Sequence, residues 1–450
     1  MKDSRWGQKI KQMYLQYIKG NVVVSRFAKV FSVDVIVRGG NFIFIPVFLH
    51  LMSQKEIGVF DYLWQFAYSM APILGLGMYA SMIKMYHDYP DPKEKGKMLF
   101  TLQSIIVVFL VVCLGLIYSF RVDYKIFDFL VSENIEYGRY RWFLLIAIVW
   151  WIYNVFLSQF FVISENIPKI QRYNLGRFIA VNAVVFAALF FYLHDNQVDK
   201  VEIRLAGTYV TEMLVMLYFL RHLVKNITWK FDKKMFIRAL KLSIPTVLST
   251  IAVFFLDFSD KFFVQKYTGI ESFAVYNKAV QFSFILAVIF ASIWQIYQPF
   301  MFKERNLQIL QRKVNRLMKI ITVAFLGLSV CIWFGIWILL QFNIIPQTYN
   351  ENNELLKVLP ITLLIKVLLP PLLVYQSYML YFEKTYIMLV SSLFFGALTV
   401  VANYFAVQIF GFYGSAAVLL IINFLWMLFY YYRSRFYIRN RLKMQTQTDV

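Results

Sequence analysis

Histidine and cysteine are nearly missing from this chain of 450 residues, which has four of the first and two of the second. Cys113 and Cys331 both lie inside apolar runs, so neither a disulfide framework nor a thiolate zinc site is readable. His50, His87, His194 and His222 sit at span ends or in connections, and none is paired at metal-ligand spacing. A glycine-rich phosphate loop and a strained nucleophile elbow are absent too, so the chain carries no signature of nucleotide-driven or acyl-transfer chemistry. Charge is scarce, 16% of residues where soluble domains carry about 25%, and acids are scarcer than bases, 25 against 46. Nothing in these patterns calls for a cofactor, and the chain reads as a non-enzyme.

Hydrocarbon fills the vacated space. With 60% hydrophobic residues and a mean hydropathy of +0.58, a chain of this length could not cover its apolar surface in water. Apolar runs of roughly 20 residues, the length that spans a bilayer core, follow one another with short polar breaks. We expect about twelve spans, near 28–50, 58–83, 98–120, 140–163, 173–193, 203–224, 236–264, 272–300, 317–341, 355–381, 385–407 and 411–432. The expected architecture is all-α and polytopic, with two parallel six-helix lobes over 28–224 and 236–432. A basic amphipathic arm (1–27) with no signal-peptide pattern, a linker (225–235) and a tail (433–450) complete the division.

The net charge of +21 follows the same alternation. Lysines and arginines cluster before the first span and after the second, fourth, sixth, eighth and twelfth. The other connections hold few. About 33 of the 46 bases fall on one side, which the positive-inside rule makes cytoplasmic, with both termini there, in a cell membrane. Surplus base is thus a topology signal, and nucleic acid is not an expected partner.

The chain also repeats. Gly58-Val59-Phe60-Asp61 and Gln65-Phe66 recur as Ala274-Val275-Tyr276-Asn277 and Gln281-Phe282, an offset of roughly 216 residues that is close to half the chain. Ionised residues inside the runs are few, and each costs at least ~2.5–3.5 kcal/mol unless it has a partner or a wet cavity. Asp34–Arg38 and Asp257–Lys261 are spaced i, i+4, which sets acid and base on one helix face. Such a pair reads equally as self-neutralisation for insertion or as part of a path. Lys366 has no acid within one helical turn and lies between Pro360 and Pro370-Pro371. Breakers such as Pro72, Gly75 and Gly77 mark kinks, and at matching places in two halves they suit hinges.

The segment Leu51-Met52-Ser53-Gln54-Lys55-Glu56-Ile57-Gly58-Val59-Phe60 resembles the stretch between helices one and two of bacterial O-antigen and capsule flippases. Asp260-Lys261, Gly269 and Ala274-Val275-Tyr276-Asn277-Lys278-Ala279 resemble their helix seven–eight signature, and Gly411-Phe412-Tyr413-Gly414-Ser415-Ala416-Ala417 their last helix pair. These flippases belong to the multidrug/oligosaccharidyl-lipid/polysaccharide exporter superfamily. The resemblance implies alternating access and movement of an undecaprenyl-diphosphate-linked oligosaccharide from the inner to the outer leaflet. A polysaccharide polymerase is the protein partner such a role admits.

A polar groove with cations suits that cargo, because guanidinium and ammonium groups hold a diphosphate. Arg38, Lys278 and Lys366 are the candidates for that contact. Asp34, Asp257 and Asp260 are candidates for a coupling H+ or Na+. Two other readings stay open. A cation-coupled multidrug exporter would favour carboxylates and aromatics in its lumen. A membrane polysaccharide polymerase or acyltransferase would need a catalytic cluster and large outside loops.

Overall fold

Lipid offers the backbone no hydrogen bonds, so each run that enters it must satisfy its own N–H and C=O groups as helix. The computed structural model shows this along the chain. It describes residues 37–448 apart from 38, 41, 132–134, 193–197, 304–305 and 383. Among the described residues the elements are helices, with no strand. They are α1 (Phe42–Leu51), α2 (Gln54–Leu74), α3 (Met78–Tyr86), α4 (Pro92–Ser119), α5 (Val122–Leu130), α6 (Tyr137–Ile163), α7 (Ile167–Phe191) and α8 (Lys200–Val224). After these come α9 (Lys233–Lys303), α10 (Leu307–Gln341), a 3-10 turn (Gln347–Asn353), α11 (Glu354–Tyr381) and α12 (Thr385–Thr448).

Eight of these helices are long and apolar enough to cross a membrane unaided, and α2 with α3 forms a ninth span, bent by 51°. Two helices hold two spans each. α9 breaks at Gly269 (φ 86, ψ 170) and α12 at Gly411 (φ 58, ψ −148), backbone that glycine adopts without a Cβ clash. Across both breaks the chain doubles back. Tyr276 reaches Asp260 over the first, and Ser391 meets Tyr430 over the second. Counted by arm, the described helices make eleven passages, and α1, ten residues long, lies where the end of the first expected span falls.

The bend in α2–α3 has local causes. Pro72 inside α2 leaves a carbonyl unbonded, and Leu76 and Gly77 both take positive φ before α3 starts. α11, by contrast, continues through Pro360, Pro370 and Pro371 as one helix. α5, a short helix over the connection between the third and fourth spans, was not expected from the sequence. Arg141 ties its first turn down through an ion pair to Asp123 of 2.5 Å.

Contacts sort the connections into two ends. At the base-poor end His50 bonds the Ile344 carbonyl, Gln54 bonds the Glu271 carbonyl at 3.0 Å, and Tyr62 bonds the Leu130 carbonyl at 2.9 Å. At the basic end Arg238 pairs with Asp88, the Asp232 amide donates to Thr101, and Ser81 donates to the Ala239 carbonyl. Between the ends, α2, α6, α7 and α8 pack together, as do α9, α11 and α12, and α2 packs on α9. In lipid, helices associate through close packing rather than hydrophobic burial, so small residues matter at such crossings. Gly58 is one: a Cβ there would stand 2.4 Å from the Ile270 carbonyl oxygen.

Candidate functional site

Among the described residues, the buried ionisable side chains of the spanning helices fall into three groups. The first lies at the crossing of α2 and the second arm of α9. Asp61 is buried there, with the Lys278 ammonium at 2.6 Å, the Asn277 amide at 2.9 Å and the Gln281 amide at 3.1 Å on one carboxylate oxygen. All three donors come from the opposite half of the chain. Asp61 and Asn277 are 216 residues apart, so the counterparts of the internal repeat touch each other directly. Arg204 of α8 joins this cluster from behind, its guanidinium between the rings of Phe48 and Phe60 at 4.0 and 3.8 Å.

The second group lies in the second half. Asp260 is buried and accepts from Tyr276 at 2.8 Å, with Lys261 at 3.3 Å. Lys261 also donates to the Asp257 main-chain carbonyl. The i, i+4 spacing of Asp257 and Lys261 therefore gives a contact with the backbone, while the ammonium pairs with the adjacent Asp260. This frees the Asp257 carboxylate, which is exposed. Lys366, half-buried on α11, has its ammonium 5.6 Å from the centre of the Phe284 ring, and Asp257 is the acid acting on it most strongly.

The third group is internal to the first half and was overlooked in the sequence. Asn154 of α6 accepts from Tyr173 at 2.8 Å and from Arg177 at 2.7 Å, both on α7. Arg177 lies 3.1 Å from the Glu212 carboxylate of α8 and over the Trp150 ring at 5.1 Å. Arg177 and Glu212 are ionisable residues inside apolar runs, which was the signal available. Of the expected site residues, Asp257 and Asp260 thus lie within one turn of each other on α9, and Lys366 stands on α11 near the Phe284 ring. Lys278 stands apart, joined to Asp61 at the crossing. Asp34 and Arg38 lie outside the described residues. No group of three or more metal-ligating side chains occurs among the described residues.

Set against known proteins, residues 25–304 match the family described as "Polysaccharide biosynthesis protein", which is more than half of the chain. The chain belongs to that family. No curated protein matches it. Like other membrane proteins of its fold, this family member is similar to solved transporters at low identity. Lipid II flippase MurJ in an inward closed conformation has a TM-score of 0.68 at 15% identity, over 91% of this chain and 87% of that one. A MATE in complex with MaL6 gives 0.62 at 14%, over 93% and 96%. A MOP superfamily transporter from Pyrococcus furiosus, noted for the reversed polarity of its binding pocket, gives 0.61 at 14%, over 92% and 95%. These likenesses bear out the all-α polytopic fold, and the family match bears out the link to polysaccharide biosynthesis.

Proposed function

We propose that this chain is a flippase that carries an undecaprenyl-diphosphate-linked oligosaccharide from the inner to the outer leaflet of a bacterial cell membrane. The repeat units of O-antigen, capsule or exopolysaccharide are the cargo class. The family membership supports a role in polysaccharide synthesis, and the shared fold supports two lobes, 28–224 and 236–432, that rock against each other. The basic connections would lie in the cytoplasm, together with both termini.

Lys366 is the observation that carries the reading. It sits at mid-helix in the membrane, half-buried, and makes no ion pair among the described residues. An ammonium kept there without a neutralising contact has the chemistry to hold an anionic head group in a wet cleft. Asp257, exposed beside it, offers either a proton-accepting carboxylate for coupling or an acceptor for sugar hydroxyls. Lys278 is committed to Asp61 in this conformation and would become available to a diphosphate when that pair opens.

Complementation tests the proposal. Lys366→Met should insert and fold at least as well as the parent, because a costly charge leaves the membrane, yet fail to restore surface polysaccharide in cells lacking the native protein. A cysteine at 366 should react with a small aqueous thiol reagent. Normal polysaccharide from Lys366→Met would sink the assignment of Lys366 to the head-group site. Export of drugs without any polysaccharide phenotype would favour the multidrug reading.

A further inference from the structure

α4 is the most apolar of the eight long spanning helices, with a mean hydropathy of 2.7 in its most apolar stretch. It packs closely on α3, α5 and α9, whereas α2 and α6 pack on each other. Between α4 and the α2–α6 pair a slot of about 110 Å³ remains, and α5 covers its base-poor end. The slot is long rather than round. Its wall runs from Tyr62 to Leu74 on α2 and from Tyr137 to Ile148 on α6, about 18 and 16 Å along the two axes. One leaflet of a bilayer core is about 15 Å thick, so the slot reaches as deep as a lipid chain does.

Nothing in the wall asks for water. Tyr62 donates to the Leu130 carbonyl at 2.9 Å and Tyr118 to the Arg141 carbonyl at 3.1 Å. The Asp123 carboxylate accepts from Tyr137 at 3.1 Å and pairs with Arg141 at 2.5 Å. The rest of the wall is aliphatic and aromatic. An apolar cavity of similar size, about 150 Å³, stays dry and admits a hydrocarbon guest. The floor is buried, at Leu63, Leu114 and Phe127, while Phe66, Met70 and Leu74 of α2 and Ile117 of α4 are partly exposed along the open side. Beside Ile117 on the surface of α4 stand the exposed Leu116 and Phe120, so that side meets hydrocarbon.

The covering helix adds charge. Arg121 and Lys125 are exposed just beyond the end of α4, where lipid phosphates lie, and Asp128 is the exposed acid further along α5. We propose that the slot is a phospholipid site in the leaflet at the base-poor end. One acyl chain lies between α2, α4 and α6, and Arg121 and Lys125 hold the lipid phosphate. An undecaprenyl tail is far longer than this slot, whose depth is that of one leaflet, so the occupant is a lipid of the bilayer. The site is separate from the head-group site around Lys366 and stands whether or not the cargo is a lipid-linked saccharide. Tyr62 and Leu63 directly follow Asp61 on α2, so a chain held here braces the helix that joins the two halves.

Photolabelling tests the site. The probe is phosphatidylglycerol with a diazirine at the end of one acyl chain, in nanodiscs that hold the full-length protein. Adducts located by mass spectrometry should favour Leu74 and Ile148, at the deep end of the slot, several-fold over the exposed Val108 and Val112 of α4. Met70→Trp, which fills the open side, should cut slot labelling several-fold, and Met70→Leu should keep it. Arg121→Gln with Lys125→Gln leaves the slot itself untouched and should also cut labelling several-fold. Even labelling of the slot and the α4 surface, or parental labelling of Met70→Trp, would overturn the site. Parental labelling of the Arg121→Gln, Lys125→Gln variant would overturn the phosphate contact. Slot adducts from a diazirine-tailed undecaprenyl phosphate, without any from phosphatidylglycerol, would overturn the assignment to a phospholipid.

Discussion

At the scale of residues, the membrane turns each buried charge into a commitment. The Asp61–Lys278 contact lies in a water-poor crossing, so removing one partner strands the other. Asp61→Asn alone should cost about 3–5 kcal/mol of stability, since it leaves the Lys278 ammonium uncompensated. The double variant Asp61→Asn with Lys278→Met should recover most of that loss, and thermal unfolding of the purified protein would show it. Failure of the double variant to recover would mean that the pair is not the main tie at this crossing. The sequence made the charged positions legible but not their partners. Lys278 looks unattached along the chain because its acid is 217 residues away. Lys261 looks paired with Asp257 because i, i+4 spacing says so, but its flexible stem reaches the neighbouring Asp260 instead. Arg177, Glu212 and Asn154 escaped notice for a related reason: each finds its partner on another helix, where spacing within one helix carries no information.

At the scale of elements, lipid makes helices easy to read and turns hard. The span positions follow from the apolar runs alone, since unpaired backbone is so costly in hydrocarbon. The small α5 escaped because its nine residues are too few for a span and lie in a connection of mixed charge. The α2–α9 crossing depends on a missing side chain. Gly58→Val would press a Cβ and its methyls into the Ile270 carbonyl, so the two helices must separate at the base-poor end. With Cys113 and Cys331 replaced, cysteines at 54 and 271 should be joined readily by a short bifunctional maleimide, because the Gln54 side chain reaches the Glu271 backbone. Gly58→Val should cut that cross-linking several-fold. Unchanged cross-linking would show that the crossing tolerates the extra bulk.

At the scale of the whole molecule, the distribution of bases and the packing of connections give the same division into two ends. Arg238 meets Asp88, and the 225–238 segment lies against the start of α4, where a Cβ on Gly96 would touch Thr228. Reporter fusions at 84–97, 225–238 and 303–316 should all report the cytoplasm, and those at 124–138 and 343–354 the outside. One inversion among them would break the twelve-span arrangement. The two halves were legible as an offset of short motifs, and the direct bond between Asp61 and Asn277 gives that offset a physical meaning.

The turns at Gly269 and Gly411 have a consequence for how the protein is made. A single residue links each pair of arms, and no slack chain separates them. The first arm of such a pair can reach its final place only together with the second, because no slack chain lets one shift without the other. Each pair is expected to leave the insertion channel as a hairpin, its two rods side by side. Biogenesis of the second half is therefore a matter of delivering doublets, and a synthesis pause timed to fall inside either doublet would be the point at which assembly is most exposed to failure.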